Sequence, residues 1–173
     1  MITQLKGRMV EKSPTELVID CNWVGYLVNI SLNTFSKLKD SENITLFTHL
    51  QVKEDSHTLF GFFEKTERNL FRKLISVSGI GASTARTMLS SLNPSEIQSA
   101  IISGNVSTIQ SVKGIGLKTA QRVIIDLKDK VSLSIENNQF IGNINNTNQD
   151  EALSALEVLG LSLIHISEPT RPE

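Results

Sequence analysis

The chain has 173 residues, 39% of them hydrophobic and 20% charged, which fits a soluble globular chain of one or several small domains and excludes a disordered one. A single cysteine, Cys21, excludes an intramolecular disulfide and a cysteine-based zinc site, and His49, His57 and His165 follow no metal-ligand spacing, so no metal or cofactor is expected. The net charge of −1, taken as one number, argues against a nucleic-acid binder.

Residues 1–63 carry a net −1 and read with a period of two. The N-terminus alternates apolar and polar residues as a strand does, not as a secretory signal does. Strands are predicted at 2–10, 15–20, 25–30, 44–54 and 58–63, punctuated by Pro14, Gly25 and polar runs. Ile44, Leu46, Leu50 and Val52 fall on one face of the fourth strand. A short helix fits between Leu32 and Leu38. Five short strands with one helix after the third suit a small Greek-key barrel of the OB type, although strand count alone leaves other small barrels open.

From Glu64 the period becomes 3.6, and residues 64–131 read as all-helical, in about five short helices with a net +5. Leu70, Phe71, Leu74 and Val77 share one helical face. Asn93-Pro94-Ser95-Glu96 is a helix start, with Asn as N-cap, Pro at the first position and Glu three residues after the cap, and Gly104 suits that helix's end. Leu117, Ala120, Ile124, Leu127 and Val131 form a further apolar stripe. Residues 132–149 include six Asn among 18 residues and read as a flexible linker. An amphipathic piece resumes at 150–160, and residues 132–173 carry −5. No run of about 18 apolar residues occurs, so no membrane span and a cytoplasmic setting are expected.

Within the basic segment, Ser76-Val77-Ser78-Gly79-Ile80-Gly81-Ala82-Ser83-Thr84-Ala85 aligns without gaps on Ser111-Val112-Lys113-Gly114-Ile115-Gly116-Leu117-Lys118-Thr119-Ala120, 35 residues later. Each copy reads as helix, Gly-Ile-Gly turn, helix, and resembles the helix–hairpin–helix motif of DNA-binding proteins that do not read sequence. Glycine takes positive φ, so four residues reverse the chain; it also lets backbone amides approach a phosphate. The helix that follows offers free N–H groups and its positive dipole end. Ile80 and Ile115 are expected to tuck between the helices. Ser83 and Thr84, like Lys118 and Thr119, fall in the first turn of the second helix, with Lys113 and Arg122 adding charge nearby. Phosphate contacts of this kind hold DNA without reading it.

Other chemistries fit less well. Gly116-Leu117-Lys118-Thr119 lacks the Gly-Lys pair of a P-loop and follows a helix where a P-loop follows a strand, and Gly79-Ile80-Gly81 lacks the third glycine of a dinucleotide fingerprint. Asp126 and Asp129, interleaved with Lys128 and Lys130, read as a solvated face without a partner lysine or histidine cluster for catalysis. A nuclease or glycosylase accessory module using generic hairpins remains as the alternative. An RNA-binding barrel is disfavoured, since the barrel segment is slightly acidic and lacks an obvious stacking set.

The order barrel, paired hairpins, loose linker and small helical piece, with Tyr26 after Gly25, Val52-Lys53-Glu54-Asp55 and Leu59-Phe60-Gly61-Phe62, closely resembles the RuvA family over residues 1 to about 160. These are bacterial subunits that bind Holliday junctions in the RuvAB branch-migration machine. The resemblance implies an α+β multidomain chain: an OB-type barrel (1–63), a tandem helix–hairpin–helix domain (64–131), a linker (132–149) and part of a third helical domain (150–160). It implies a non-catalytic subunit of recombination, DNA repair and the SOS response. Such subunits form a flat homotetramer on which an open four-way junction lies, with eight hairpins gripping the backbones. Glu54 and Asp55 match the acidic pin at the crossover, and Lys53 beside them is placed to contact a phosphate. The partners implied are the RuvB AAA+ motor, which hydrolyses ATP and binds the third domain, and the RuvC resolvase. The chain departs from the family in two ways. Its third domain stops near Gly160, and residues 161–173, with Pro169 and Pro172 and no helical stripe, look like a non-native tail, so truncation and an impaired motor contact are expected. The first hairpin offers Ser83 and Thr84 where a basic residue would help, and is expected to hold phosphate more weakly than the second.

Overall fold

The computed structural model of the chain describes residues 1–38 and 42–140. Five strands, β1 (Gln4–Lys12), β2 (Glu16–Cys21), β3 (Val24–Ile30), β4 (Asn43–Val52) and β5 (His57–Phe62), close a barrel in the order β1-β2-β3-β5-β4. All neighbours are antiparallel except β3 and β5, which run parallel with Val28 opposite Leu59. The first half of β1 pairs with β4 and the second half with β2, and a register shift between Met9 and Glu11 bends the strand round that corner. The period of two sends Leu17, Ile19, Val28, Ile30, Ile44 and Leu46 inward, and Leu5 and Leu38 complete the core. The expected inward face of β4 ends early: Val52 is 61% exposed, because β1 pairs only as far as Phe47 and the last residues of β4 are covered by β5 alone.

Between β3 and β4 lies α1 (Leu32–Lys37), where the predicted short helix falls. Ser31 caps it, its Oγ accepting from the Thr34 amide at 3.0 Å. The helical layer follows as α2 (Lys65–Ile75), α3 (Ala82–Ser91), α4 (Pro94–Ser103), α5 (Val106–Gln110) and α6 (Leu117–Phe140). The α4 start carries the full capping box, Asn93 Oδ1 accepting from the Glu96 amide and Glu96 Oε2 from the Asn93 amide, and Gly104 closes the helix in the left-handed conformation. Leu70, Phe71, Leu74, Met88, Leu89, Ile97, Ile101, Val123 and Leu127 form its core.

Three sets of contacts fasten this layer to the barrel within one compact unit, Met1–Ser132. Phe71 of α2 packs on the rings of His49, Phe60 and Phe62 at centroid distances of 5.5, 5.1 and 4.9 Å. Glu67, fully buried, accepts hydrogen bonds from Ser31 Oγ at 2.5 Å and Thr34 Oγ1 at 2.9 Å. Burying a carboxyl group is costly unless its oxygens are bonded, so α1 and α2 must meet in this one arrangement. Third, Arg86 of α3 donates to Asn29 Oδ1 at 2.7 Å and to the Thr15 carbonyl at 3.2 Å.

Residues 132–140 depart from the expected linker: α6 runs unbroken through them to Phe140. No Gly or Pro interrupts the sequence between Leu117 and Ile141, and once the packed first half is helical each further residue adds a bond at little entropic cost. The rest of the expected linker, 141–149, the helical piece 150–160 and the tail 161–173 lie outside the described residues.

Candidate nucleic-acid interface

The two copies of the repeat share the hydrogen bonds that shape their turns. In the first, the Ile80 amide donates to the Val77 carbonyl at 3.1 Å and the Ala85 amide to the Gly81 carbonyl at 2.9 Å. In the second, Ile115 donates to Val112 at 3.2 Å and Ala120 to Gly116 at 2.9 Å. Gly79 and Gly114 both take positive φ, 95° and 91°, so each reverses the chain where a side chain would be strained. Ile80 and Ile115 are buried beneath the turns, as expected. Exposure matches along the ten aligned positions except at one pair: Ala82 is buried and Leu117 is half exposed, so Leu117 does not belong to the α6 core stripe.

The second glycine of each turn is a different case. Gly81 and Gly116 lie outside the positive-φ region, and a Cβ built on either meets nothing within 4 Å. Neither backbone geometry nor packing asks for glycine there. Both carbonyls accept the first helical bond, of α3 and of α6, so each glycine stands at an N-cap with no side chain to satisfy the leading amides. The amides of Ala82, Ser83 and Thr84, and of Leu117, Lys118 and Thr119, therefore start a helix behind a bare, solvent-facing backbone. That arrangement suits an anion that approaches closely.

The hairpins also touch each other. Thr119 side-chain atoms lie 3.8 Å from where a Gly79 Cβ would sit, and Arg122 Nη1 donates to the Ser78 carbonyl at 3.4 Å. Ser78, Gly79, Thr119 and Arg122 thus join the two turns. The 35-residue offset exposes a chemical asymmetry: Lys113, Lys118 and Arg122 stand where the first copy has Ser78, Ser83 and Thr87. Lys113, Lys118 and Arg122 are all exposed. Thr87 Oγ1, by contrast, is turned onto its own helix and donates to the Ser83 carbonyl at 3.0 Å.

Lys53, Glu54 and Asp55 stand on another element, the exposed turn between β4 and β5, closed by the Lys53 amide donating to the Ser56 carbonyl at 2.8 Å. Among the described residues neither carboxylate has an ion-pair partner, and only Ser56 Oγ bonds Asp55, at 3.3 Å. Asp126 and Asp129 are exposed on α6. Among the described residues no group of three His, Cys, Asp or Glu could hold a metal, and no helix is long and apolar enough to cross a membrane.

A closed OB-type barrel carrying a tandem helix–hairpin–helix layer defines a class of nucleic-acid-binding protein. The comparisons give the family. Residues 1–61 match the RuvA N-terminal domain, and residues 71–129 match the SAM-like helix-hairpin-helix tandem. Proteins named Holliday junction branch migration complex subunit RuvA are similar along most of the chain. Those of Christiangramia forsetii and Flavobacterium psychrophilum are 63% and 62% identical over 160 residues, covering 92% of this chain and 83% of each relative. That of Bacteroides fragilis is 46% identical over 170 residues, 94% of this chain and 85% of the relative. The chain belongs to the RuvA family.

Proposed function

We propose that the chain is a non-catalytic, cytoplasmic subunit that binds four-way junction DNA as a homotetramer and presents it to a RuvB-type motor, with a RuvC-type resolvase as a further partner. The two hairpins grip phosphates: the leading amides of α3 and α6 and the hydroxyls of Ser83, Thr84 and Thr119 bond the oxygens, while Lys113, Lys118 and Arg122 supply charge. The observation that carries this reading is the pair of glycines with open space before them, Gly81 and Gly116. A residue kept bare where the fold does not need it bare leaves room for a group from outside. Lys53 contacts a neighbouring backbone. Glu54 and Asp55, exposed and without an ion-pair partner among the described residues, form the acidic pin that repels phosphates at the crossover and favours an open junction over a continuous duplex. A motor contact is assigned to residues 150–160, whereas junction binding depends on residues 1–131.

Binding measured on a four-way junction, a linear duplex of the same arm sequence and a single strand tests the reading. The junction is expected to bind most tightly, with affinity falling steeply with salt because many phosphate contacts release counterions. Equal affinity for all three would leave only a generic hairpin module.

A further inference from the structure

Trp23 is the single tryptophan of the chain and is 96% exposed. It occupies a two-residue turn between the paired Cys21 and Val24, with φ of 52° at Asn22 and 70° at Trp23. Turns of this hand favour Asn-Gly, and a bulky residue at positive φ is strained. The turn is nevertheless held, the Trp23 amide donating to Asp20 Oδ1 at 2.8 Å. Neither turn stereochemistry nor packing accounts for an indole here, and strain of this kind is a pointer to function.

Its place in the barrel supplies the context. Because β3 and β5 are neighbours and parallel, the turns that precede them open at the same end of the barrel. From Val28 opposite Leu59, the register brings His57, the first residue of β5, level with Tyr26, so the Asn22-Trp23 turn and the turn at residues 53–56 both lie just beyond the paired ends of these strands. Trp23 therefore shares a rim with Lys53, Glu54 and Asp55, and with the half-exposed Val24 and exposed Val52. Two carboxylates, without an ion-pair partner among the described residues, outweigh Lys53 and disfavour phosphates beside the indole. The part of a nucleic acid they tolerate is a base, neutral and planar, which an indole face stacks against regardless of sequence.

We propose that Trp23 is a stacking platform for a nucleobase exposed at the crossover of a four-way junction, with the acidic turn holding the phosphates back. The inference rests on the junction-binding reading above. Because no other tryptophan contributes, emission from the full chain reports on this residue alone. The chain is titrated with a dye-labelled four-way junction and with a linear duplex of the same arm sequence, following tryptophan emission and dye anisotropy together. At saturation the junction is expected to quench emission, and the duplex at equal occupancy to leave it unchanged. Trp23→Phe is expected to keep the preference for the junction. Trp23→Gly, which suits the φ of 70° and so keeps the fold, is expected to lower that preference about tenfold, the scale of one stacked base. Tight junction binding with unchanged emission, or full preference in Trp23→Gly, would overturn the stacking role while sparing junction binding. Emission that is blue-shifted and concentration-dependent without DNA would overturn it too, by placing the indole between copies of the chain. Anisotropy that shows no preference for the junction would remove the junction reading, and the stacking role with it.

Discussion

Single residues separate what the fold requires from what a ligand requires. Gly79 and Gly114 are fixed by backbone geometry, Gly81 and Gly116 by nothing inside the protein. Gly79→Ala is therefore expected to lose about 1–2 kcal/mol of stability in denaturant unfolding. Gly116→Val is expected to lose less than about 1 kcal/mol, the scale of a changed N-cap, while weakening junction and duplex binding alike. Full DNA affinity in Gly116→Val would make the turn only a structural corner. His49 gives a second test. Burial first, then the Arg72 and Arg68 charges, hold its pKa below the usual 6.5, and its buried Nδ1 has no hydrogen-bond partner among the described residues. The unfolded chain binds the proton more readily than the native one. Stability is thus fully present above about pH 6.5 and is lost as pH falls through that value towards the lower native pKa. Thermal midpoints from pH 7.5 to 5 are expected to fall less steeply in His49→Gln than in the parent, and parallel slopes would deny the residue that role.

Elements differ in how openly the sequence announces them. The hairpins were legible because their signals are local: Gly-Ile-Gly, a buried isoleucine and a second copy 35 residues on. Asn93, Pro94, Glu96 and Gly104 mark α4 for the same reason, since caps are made by neighbours in sequence. Glu67 gave no such sign. Nothing beside it in the sequence marks it for burial, and only the meeting of α2 with α1 buries it against Ser31 and Thr34. Trp23 is the opposite case, because exposure of an aromatic residue is a property of the closed barrel and not of its neighbours in sequence. The Asn-rich composition after Val131 pointed to coil, yet a helix already nucleated by packing carried nine residues of it. The charge contrast between hairpins makes its own prediction. Replacing Lys113 and Lys118 by Ala is expected to weaken DNA binding more than replacing Ser78 and Ser83. It is also expected to flatten the salt dependence by about 0.9 in log–log slope for each phosphate that is no longer neutralised. Equal effects from both pairs would contradict the asymmetry.

At the scale of the whole molecule, the net charge of −1 averages over unlike parts: a +5 helical layer that carries the hairpins, a −1 barrel and a −5 C-terminal stretch. Under the proposed function, the two carboxylates of the β4–β5 turn act against the charge of the hairpins, so affinity and selectivity have different sources. Glu54→Gln combined with Asp55→Asn is expected to keep or tighten binding to all DNA forms while eroding the preference for the open junction. Retained preference would reduce the pair to an ordinary polar turn. The proposed selectivity for a four-armed substrate further requires that several copies of the hairpin pair and of the acidic turn act together, since one copy has only two hairpins. Solution mass of the full chain, measured by light scattering with and without four-way junction DNA, addresses that requirement directly. The expected result is a species near 76 kDa, four times the 19.1 kDa chain, that takes up one junction. A 19.1 kDa monomer both in the absence of DNA and on the junction would contradict it.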